Sequence, residues 1–169
     1  MSTLYLITGP AGAGKSTVSK KIAGSVLRSA LIEGDDIYNQ VVGGYAFPWE
    51  PGNHLELFRK VCIQMIRTYL EAGYDVVFDY IITPELLSLF RTEFRDQLIR
   101  FAVLLVSEEV LLERDRQRAP ECRMGDRCIE LLDSFRNAGF DAKNVLDTSL
   151  MTVEEISDIV IKDKRFIEE

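Results

Sequence analysis

Eight consecutive residues, Gly9-Pro10-Ala11-Gly12-Ala13-Gly14-Lys15-Ser16, satisfy the pattern G-x-x-x-x-G-K-[ST] at every fixed position. The residue types are those a polyphosphate demands. Glycines without a Cβ let backbone N–H groups turn inward around an anion. Lys15 brings a mobile cation to the β- and γ-phosphates of a nucleoside triphosphate, and the Ser16 hydroxyl is a hard oxygen ligand for Mg²⁺. Thr17 stands beside it, placed for the α-phosphate. A helix beginning near Lys15 would aim the positive end of its dipole at the same anion. A chance match in a chain of this length is a roughly 1% event. The expected ligand is ATP with Mg²⁺.

Such chemistry also needs carboxylates. Asp79 ends the apolar run Val76-Val77-Phe78, where an acid can hold Mg²⁺ or its waters, cap a turn, or bond an acceptor. Asp35 and Asp36 follow a second apolar run. A carboxylate there can take the proton from an attacking hydroxyl or reach the metal's water shell; equally, the pair can be a helix N-cap and a first-turn charge. Arg114, Arg116 and Arg118 alternate with acids and amides, as a solvated charged face would. They also suit closure over phosphates, because a guanidinium keeps its charge. Arg118 and Arg127 flank a polar stretch and are the favoured pair. Tyr45, Phe47 and Trp49 either line an acceptor pocket or pack their loop.

The elements that must position these groups alternate. Thr3–Thr8 reads as a buried strand, and Lys15 to about Leu27 has helical spacing at Val18, Ile22, Val26 and Leu27. Ala30–Ile32 is a second strand, and 41–53 is an aperiodic loop rich in Gly, Pro and aromatics. Asn53 is placed to cap a helix from His54 to about Glu71, stopped by Gly73. Asp75–Tyr80 is the third strand. Thr83 and Pro84 start a helix to about Gln97, and Phe101–Val106 is the fourth strand. A helix opened by Ser107 ends near Pro120. After the polar loop 121–125, a helix capped by Asp126 runs to Ala138. Asn144–Leu146 is the fifth strand, and Thr152 with Glu155 has capping-box spacing for the last helix. Apolar, non-alternating strands between helices predict an α/β fold with a parallel sheet covered on both faces and ligands at the carboxyl ends of its strands.

The bulk composition narrows the options. The 169 residues suit one domain, 1–169, and the net charge of −7 disfavours a nucleic-acid partner held on a broad basic face. The amino terminus lacks a secretory pattern and no apolar run approaches a membrane span, so a cytoplasmic protein is expected, with no membrane partner. Three cysteines, Cys62, Cys122 and Cys128, without CxxC spacing read as reduced thiols; only Cys122 and Cys128 are close enough in sequence to meet in a loop. His54 is the only histidine, which argues against a histidine zinc site.

With these residues the chain resembles the small P-loop kinases of the nucleoside monophosphate kinase-like superfamily. It is similar to the branch of gluconate kinase, shikimate kinase, chloramphenicol phosphotransferase and the kinase half of polynucleotide kinase, and above all to the AAA-type ATPase-like bacterial proteins of that branch. Gly9 to Thr17 carries the most specific part of the likeness. The resemblance implies a five-stranded P-loop NTPase sheet in the order 2-3-1-4-5. It implies a lid at about 119–126 and an acceptor-side segment at about 37–72. It places the proton-accepting aspartate at Asp35 rather than Asp36. It implies a phosphate-side arginine run from Arg114 to Arg118, with Arg123 and Arg127 in or just after the lid, and an adenine-side segment at Asp147-Thr148-Ser149. The segment Tyr38 to Trp49 matches neither the gluconate nor the shikimate signature, so the acceptor does not carry over. The expected activity is transfer of a phosphate from Mg·ATP to a small molecule by a monomer or homodimer. A nucleotide switch or slow ATPase acting through a protein partner is the alternative, and a nucleoside or polynucleotide 5′-kinase the third.

Overall fold

The computed structural model describes residues 2–120 and 123–168. Its centre is a parallel sheet of five strands: β1 (Thr3–Thr8), β2 (Ser29–Glu33), β3 (Asp75–Asp79), β4 (Leu98–Leu105) and β5 (Val145–Asp147). Their spatial order is β2-β3-β1-β4-β5, as expected. The helices are α1 (Lys15–Ser25), α2 (Gly34–Tyr38), α3 (His54–Glu71), α4 (Pro84–Glu93), α5 (Glu108–Arg116), α6 (Asp126–Arg136) and α7 (Val153–Lys162). The pleat sends successive side chains of each strand to opposite faces. Leu4 and Leu6 join Ile66, Phe78 and Phe90 in one core layer, while Tyr5 and Ile7 join Ile22, Leu104 and Val160 in the other. Both faces are buried, which is why the strands read as continuous apolar runs. Among the described residues no helix is long and apolar enough to cross a membrane.

Several boundaries move. β4 starts at Leu98, three residues before the expected Phe101, and α4 stops at Glu93 rather than Gln97. Arg100 hid the strand start. It is only 9% exposed, and its Nη1 donates to the carbonyls of Val160 (3.2 Å) and Asp163 (2.8 Å) at the end of α7. A cation satisfies the free carbonyls of a helix C-terminus, so a charged residue sits inside a strand without penalty. Thr83, Ser107 and Thr152 cap their helices through side-chain oxygens, the last in a full capping box with Glu155. Asn53 and Asp126 do not: Asn53 occupies the N-cap position without a side-chain bond, and Asp126 is already helical behind Gly125. Cys122 and residue 121 of the expected lid lie outside the described residues; Cys62 and Cys128 are buried free thiols.

The aperiodic loop before α3 is organised by His54. Its Nδ1 accepts from the Ala46 N–H (3.1 Å), its Nε2 faces the Tyr38 carbonyl (3.1 Å), and its ring stacks on Tyr38 at 4.1 Å. Both bonds form together only when the imidazole is neutral and protonated on Nε2. The Tyr38 hydroxyl donates to the Ala46 carbonyl (2.8 Å), so two aromatic side chains hold Ala46 by both its N–H and its C=O. Tyr45, Phe47 and Trp49 continue the stack edge to face and face to face. His54→Ala removes both bonds and the stack, and is expected to cost about 2 kcal/mol. Urea unfolding measures the loss, and a shift in Trp49 emission reports the loosened loop.

Candidate phosphate-transfer site

β1 delivers the chain to the phosphate loop at the carboxyl edge of the sheet. Gly14, with φ +94°, occupies the left-handed conformation at the N-cap of α1, where a Cβ would be strained. Inside the loop the Ala13 N–H donates to the Pro10 carbonyl (3.2 Å), and Lys15 Nζ donates to the same oxygen (3.3 Å). A cleft of about 450 Å³ opens above. Ala11, Gly12, Gly14, Lys15, Ser16 and Thr17 form its floor, and Asp35, Arg114 and Arg118 its walls. Burial lowers the Lys15 pKa from its ordinary value; the charges of Asp79 and Asp35 oppose that shift, and Arg118 adds to it. An ammonium with depressed basicity, facing inward, is a site prepared for anions.

Asp79 ends β3 beside Ile7 of β1 and is 5% exposed. Burial raises its pKa above the usual carboxylate value, against the Ser16 hydroxyl and Lys15, which lower it. Its Oδ2 is buried without a hydrogen-bond partner among the described residues. An orphaned carboxylate oxygen next to a serine hydroxyl fits a hard cation. No group of three His, Cys, Asp or Glu side chains that could hold a metal occurs among the described residues. Mg²⁺ characteristically takes one or two protein oxygens and completes its octahedron with phosphate and water, so Ser16 and Asp79 suffice as the protein's share. A raised folded pKa means that stability falls as pH rises from the unfolded pKa through the folded one. Asp79→Asn mimics the protonated form. It is expected to raise the melting temperature of the ligand-free protein at pH 7 while cutting Mg·ATP-dependent turnover at least about 10²-fold. Calorimetry with and without Mg·ATP separates the two effects.

Asp35 and Asp36, indistinguishable by position in the sequence, are separated by the fold. The residues after β2 form the short helix α2; both acids on it are solvent-exposed, but Asp35 lines the cleft and Asp36 does not. Gly34 makes this turn possible: a Cβ there would lie 2.6 Å from the Tyr80 ring. The aromatic ring just past Asp79 therefore packs directly on the backbone that carries Asp35.

The arginines separate in the same way. Arg114 Nη1 donates to the carbonyls of Gly12 and Ala13, both at 3.2 Å, clamping the phosphate loop from α5. Arg118 enters the cleft with Asp115 as its counter-ion at 3.7 Å. Arg116 is exposed beside Glu113, the solvated pair that the charge alternation predicts. Arg127 departs from its expected place: its guanidinium lies over the Trp49 ring at 5.2 Å, outside the lining of the phosphate cleft. It sits on the first turn of α6, beyond the lid segment, where an aromatic face rather than the phosphate loop is within reach. Thr148, in the expected adenine-side segment, is fully buried, and both its N–H and its hydroxyl donate to the Leu105 carbonyl, which fixes this stretch to the end of β4.

Two further groups matter that residue types alone did not single out. The Asp115 carboxylate accepts from the N–H groups of Met124 (3.0 Å) and Gly125 (2.9 Å), bonds that hold its pKa below the usual value and tie the far end of the lid segment to α5. Arg59, on α3, projects into a second cavity of about 400 Å³ that shares Ala11 with the phosphate cleft and includes Trp49, Tyr80, Met124 and Arg127. In the sequence Asp115 was one more acid in a charged helix and Arg59 one more cation on an amphipathic one. Only their partners across the fold distinguish them.

The AAA domain family matches residues 4–131. No curated protein matches the chain in sequence. Among solved structures, the chain is similar to Mycobacterium tuberculosis APS kinase CysC in complex with AMPPNP and APS (17% identity, 95% of each chain covered, TM-score 0.72). It is also similar to a sugar kinase from Janibacter sp. HTCC2649 (13%, 95% and 93%, TM-score 0.70). A gluconokinase from Sinorhizobium meliloti 1021 aligns as well (16%, 94% and 89%, TM-score 0.66). At these identities the likeness establishes the fold, and that fold is the one small P-loop kinases use. A complete G-x-x-x-x-G-K-[ST] loop after β1, an inward-facing lysine and a family match over residues 4–131 lead to one assignment: the chain belongs to the AAA domain family.

Proposed function

We propose that the protein is an ATP-dependent kinase that transfers the γ-phosphate of Mg·ATP to a hydroxyl of a small molecule. The observation that carries this reading is the pair of adjoining cavities: a polar cleft over the phosphate loop and a second chamber, meeting at Ala11, with Asp35 on the wall of the first. A nucleotide switch needs the first cavity and has no evident use for the second. Lys15 and the loop amides would hold the β- and γ-phosphates, with Ser16 and Asp79 holding Mg²⁺, which neutralises charge on the phosphate oxygens when bound. Asp35 would orient the acceptor hydroxyl and take its proton as the new P–O bond forms and the bond to the β–γ bridging oxygen breaks, releasing ADP. Arg118 would spread the charge developing on the transferred group. Exclusion of water favours the acceptor over hydrolysis.

The test is ADP release in the presence of a panel of hydroxylated metabolites. A kinase of this kind is nearly idle alone and accelerates with a particular small molecule. Slow ATP hydrolysis indifferent to every small molecule but raised by a protein would establish the switch instead. Acceleration confined to nucleosides or polynucleotide 5′ ends would establish the 5′-kinase reading.

A further inference from the structure

The second cavity has a chemical character of its own. Pro48, Trp49, Tyr80 and Met124 give it apolar and aromatic walls, and its two charged lining residues are both arginines, Arg59 and Arg127. Arg127 is already committed to the Trp49 face. Arg59 is not committed: its Nε is buried without a hydrogen-bond partner, and it forms no ion pair among the described residues. The exposed Glu85 carboxylate is held below its usual pKa first by the Thr83 side chain and a backbone N–H, with the Arg59 charge the smallest contribution. A buried guanidinium N–H left unpaired is costly, and the planar fork of arginine suits a carboxylate, sulfonate or phosphate. Trp49 is 65% exposed, and the Phe47 ring is stacked on it at 4.9 Å. The indole is therefore braced by Phe47 and Arg127, and the surface they leave exposed is available to a ligand.

We infer that this cavity takes an acceptor with a flat, mostly apolar body and one anionic group, the anion on Arg59 and the body against Trp49. A volume of about 400 Å³ is that of a small-molecule site. A polyol would leave hydroxyls unpaired against Pro48, Met124 and the aromatic rings, and sites reject ligands on that ground by large factors. Cation stacking of Arg127 on Trp49 holds that wall in place. This inference rests on the kinase reading for the word acceptor; the recognition itself does not, and is tested by binding alone.

Trp49 is the only tryptophan in the chain, so it reports on this cavity directly. The probes are 8-anilinonaphthalene-1-sulfonate, an aromatic anion, and N-phenyl-1-naphthylamine, the same body without the charge. With excitation at the indole, the anion is expected to bind one to one, with energy transfer from Trp49. Trp49→Phe should abolish that transfer while emission from the directly excited probe persists. Arg59→Gln should weaken the anion about tenfold and leave the neutral probe within about twofold; Arg59→Lys should fall between. Retained stabilisation by Mg·ATP reports that each variant is folded. Equal affinity of the two probes in the wild-type protein, an anion affinity untouched by Arg59→Gln, or displacement of the anion by gluconate at lower concentration than by 2-naphthoate would each overturn the inference. Failure of the kinase reading would appear in ADP release and leave these titrations unaltered.

Discussion

Lys15→Ala is expected to reduce Mg·ATP-dependent phosphoryl transfer by about 10²–10³-fold and to weaken Mg·ATP binding with it. The physical reason is placement. Lys15 Nζ is held over the loop by the Pro10 carbonyl at 3.3 Å and points into a cleft whose other cations are Arg114 on α5 and Arg118 just past the end of that helix. Arg114 is occupied with the carbonyls of Gly12 and Ala13, so it cannot take over the role. Lys15→Arg should rescue poorly, because a planar fork does not replace a compact ammonium at the bottom of a narrow loop. Burial keeps the Lys15 pKa below its ordinary value of 10.5 in the free protein. Between that depressed value and 10.5 the unfolded chain binds more protons, so the free protein gains stability as pH rises through the window. Bound phosphates favour the charged form, and Mg·ATP should flatten the gain. Calorimetric titration with Mg·ATP, single-turnover rates and melting curves across alkaline pH check the three statements. Full affinity with full turnover in Lys15→Ala would remove the phosphate loop from the mechanism.

Asp35→Asn should lower acceptor-dependent turnover by about 10²–10⁴-fold while leaving Mg·ATP affinity nearly intact. The substitution keeps the size and much of the hydrogen bonding but cannot accept the proton of an alcohol. α2 aims Asp35 into the phosphate cleft, and Gly34 lets that turn lie against Tyr80, a residue of the neighbouring chamber. The carboxylate thus stands on the side from which an acceptor would approach. Asp36→Asn should be close to neutral, since Asp36 is not part of the cleft lining. A defect in Asp36→Asn with none in Asp35→Asn would reverse the assignment. Loss of Mg²⁺ affinity in Asp35→Asn would mark the residue as part of the metal's water shell. If only Asp79→Asn abolished transfer, the proton acceptor would be Asp79. Single-turnover rates and a Mg²⁺ titration on the three variants distinguish these results.

The local sequence was sufficient wherever one segment alone supplies the physics. The phosphate loop is such a case: glycine spacing, lysine and serine are contiguous, and a strand-turn-helix context follows from periodicity. The sheet is another, because apolar runs of strand length separated by helical spacing can bury both faces in few other ways. Asp79 could be placed at a strand end for the same reason. What adjacency cannot encode is which side chain meets which across the fold. Asp35 and Asp36 differ by one residue, and only the helical turn after β2 places one of them, Asp35, in the lining of the cleft. Arg114, Arg118 and Arg127 share one chemistry, yet the packing of α5 and α6 assigns them to loop carbonyls, the phosphate cleft and an indole face. Thr148, inside the expected adenine-side segment, has its N–H and hydroxyl bonded to the Leu105 carbonyl of the neighbouring strand. Arg100 looks foreign to a strand until the carbonyl end of α7, some 60 residues on, supplies its partners. Residue type and spacing determine the chemistry a segment is capable of; burial and long-range hydrogen bonding, which depend on the whole chain, decide which of those capabilities face the site.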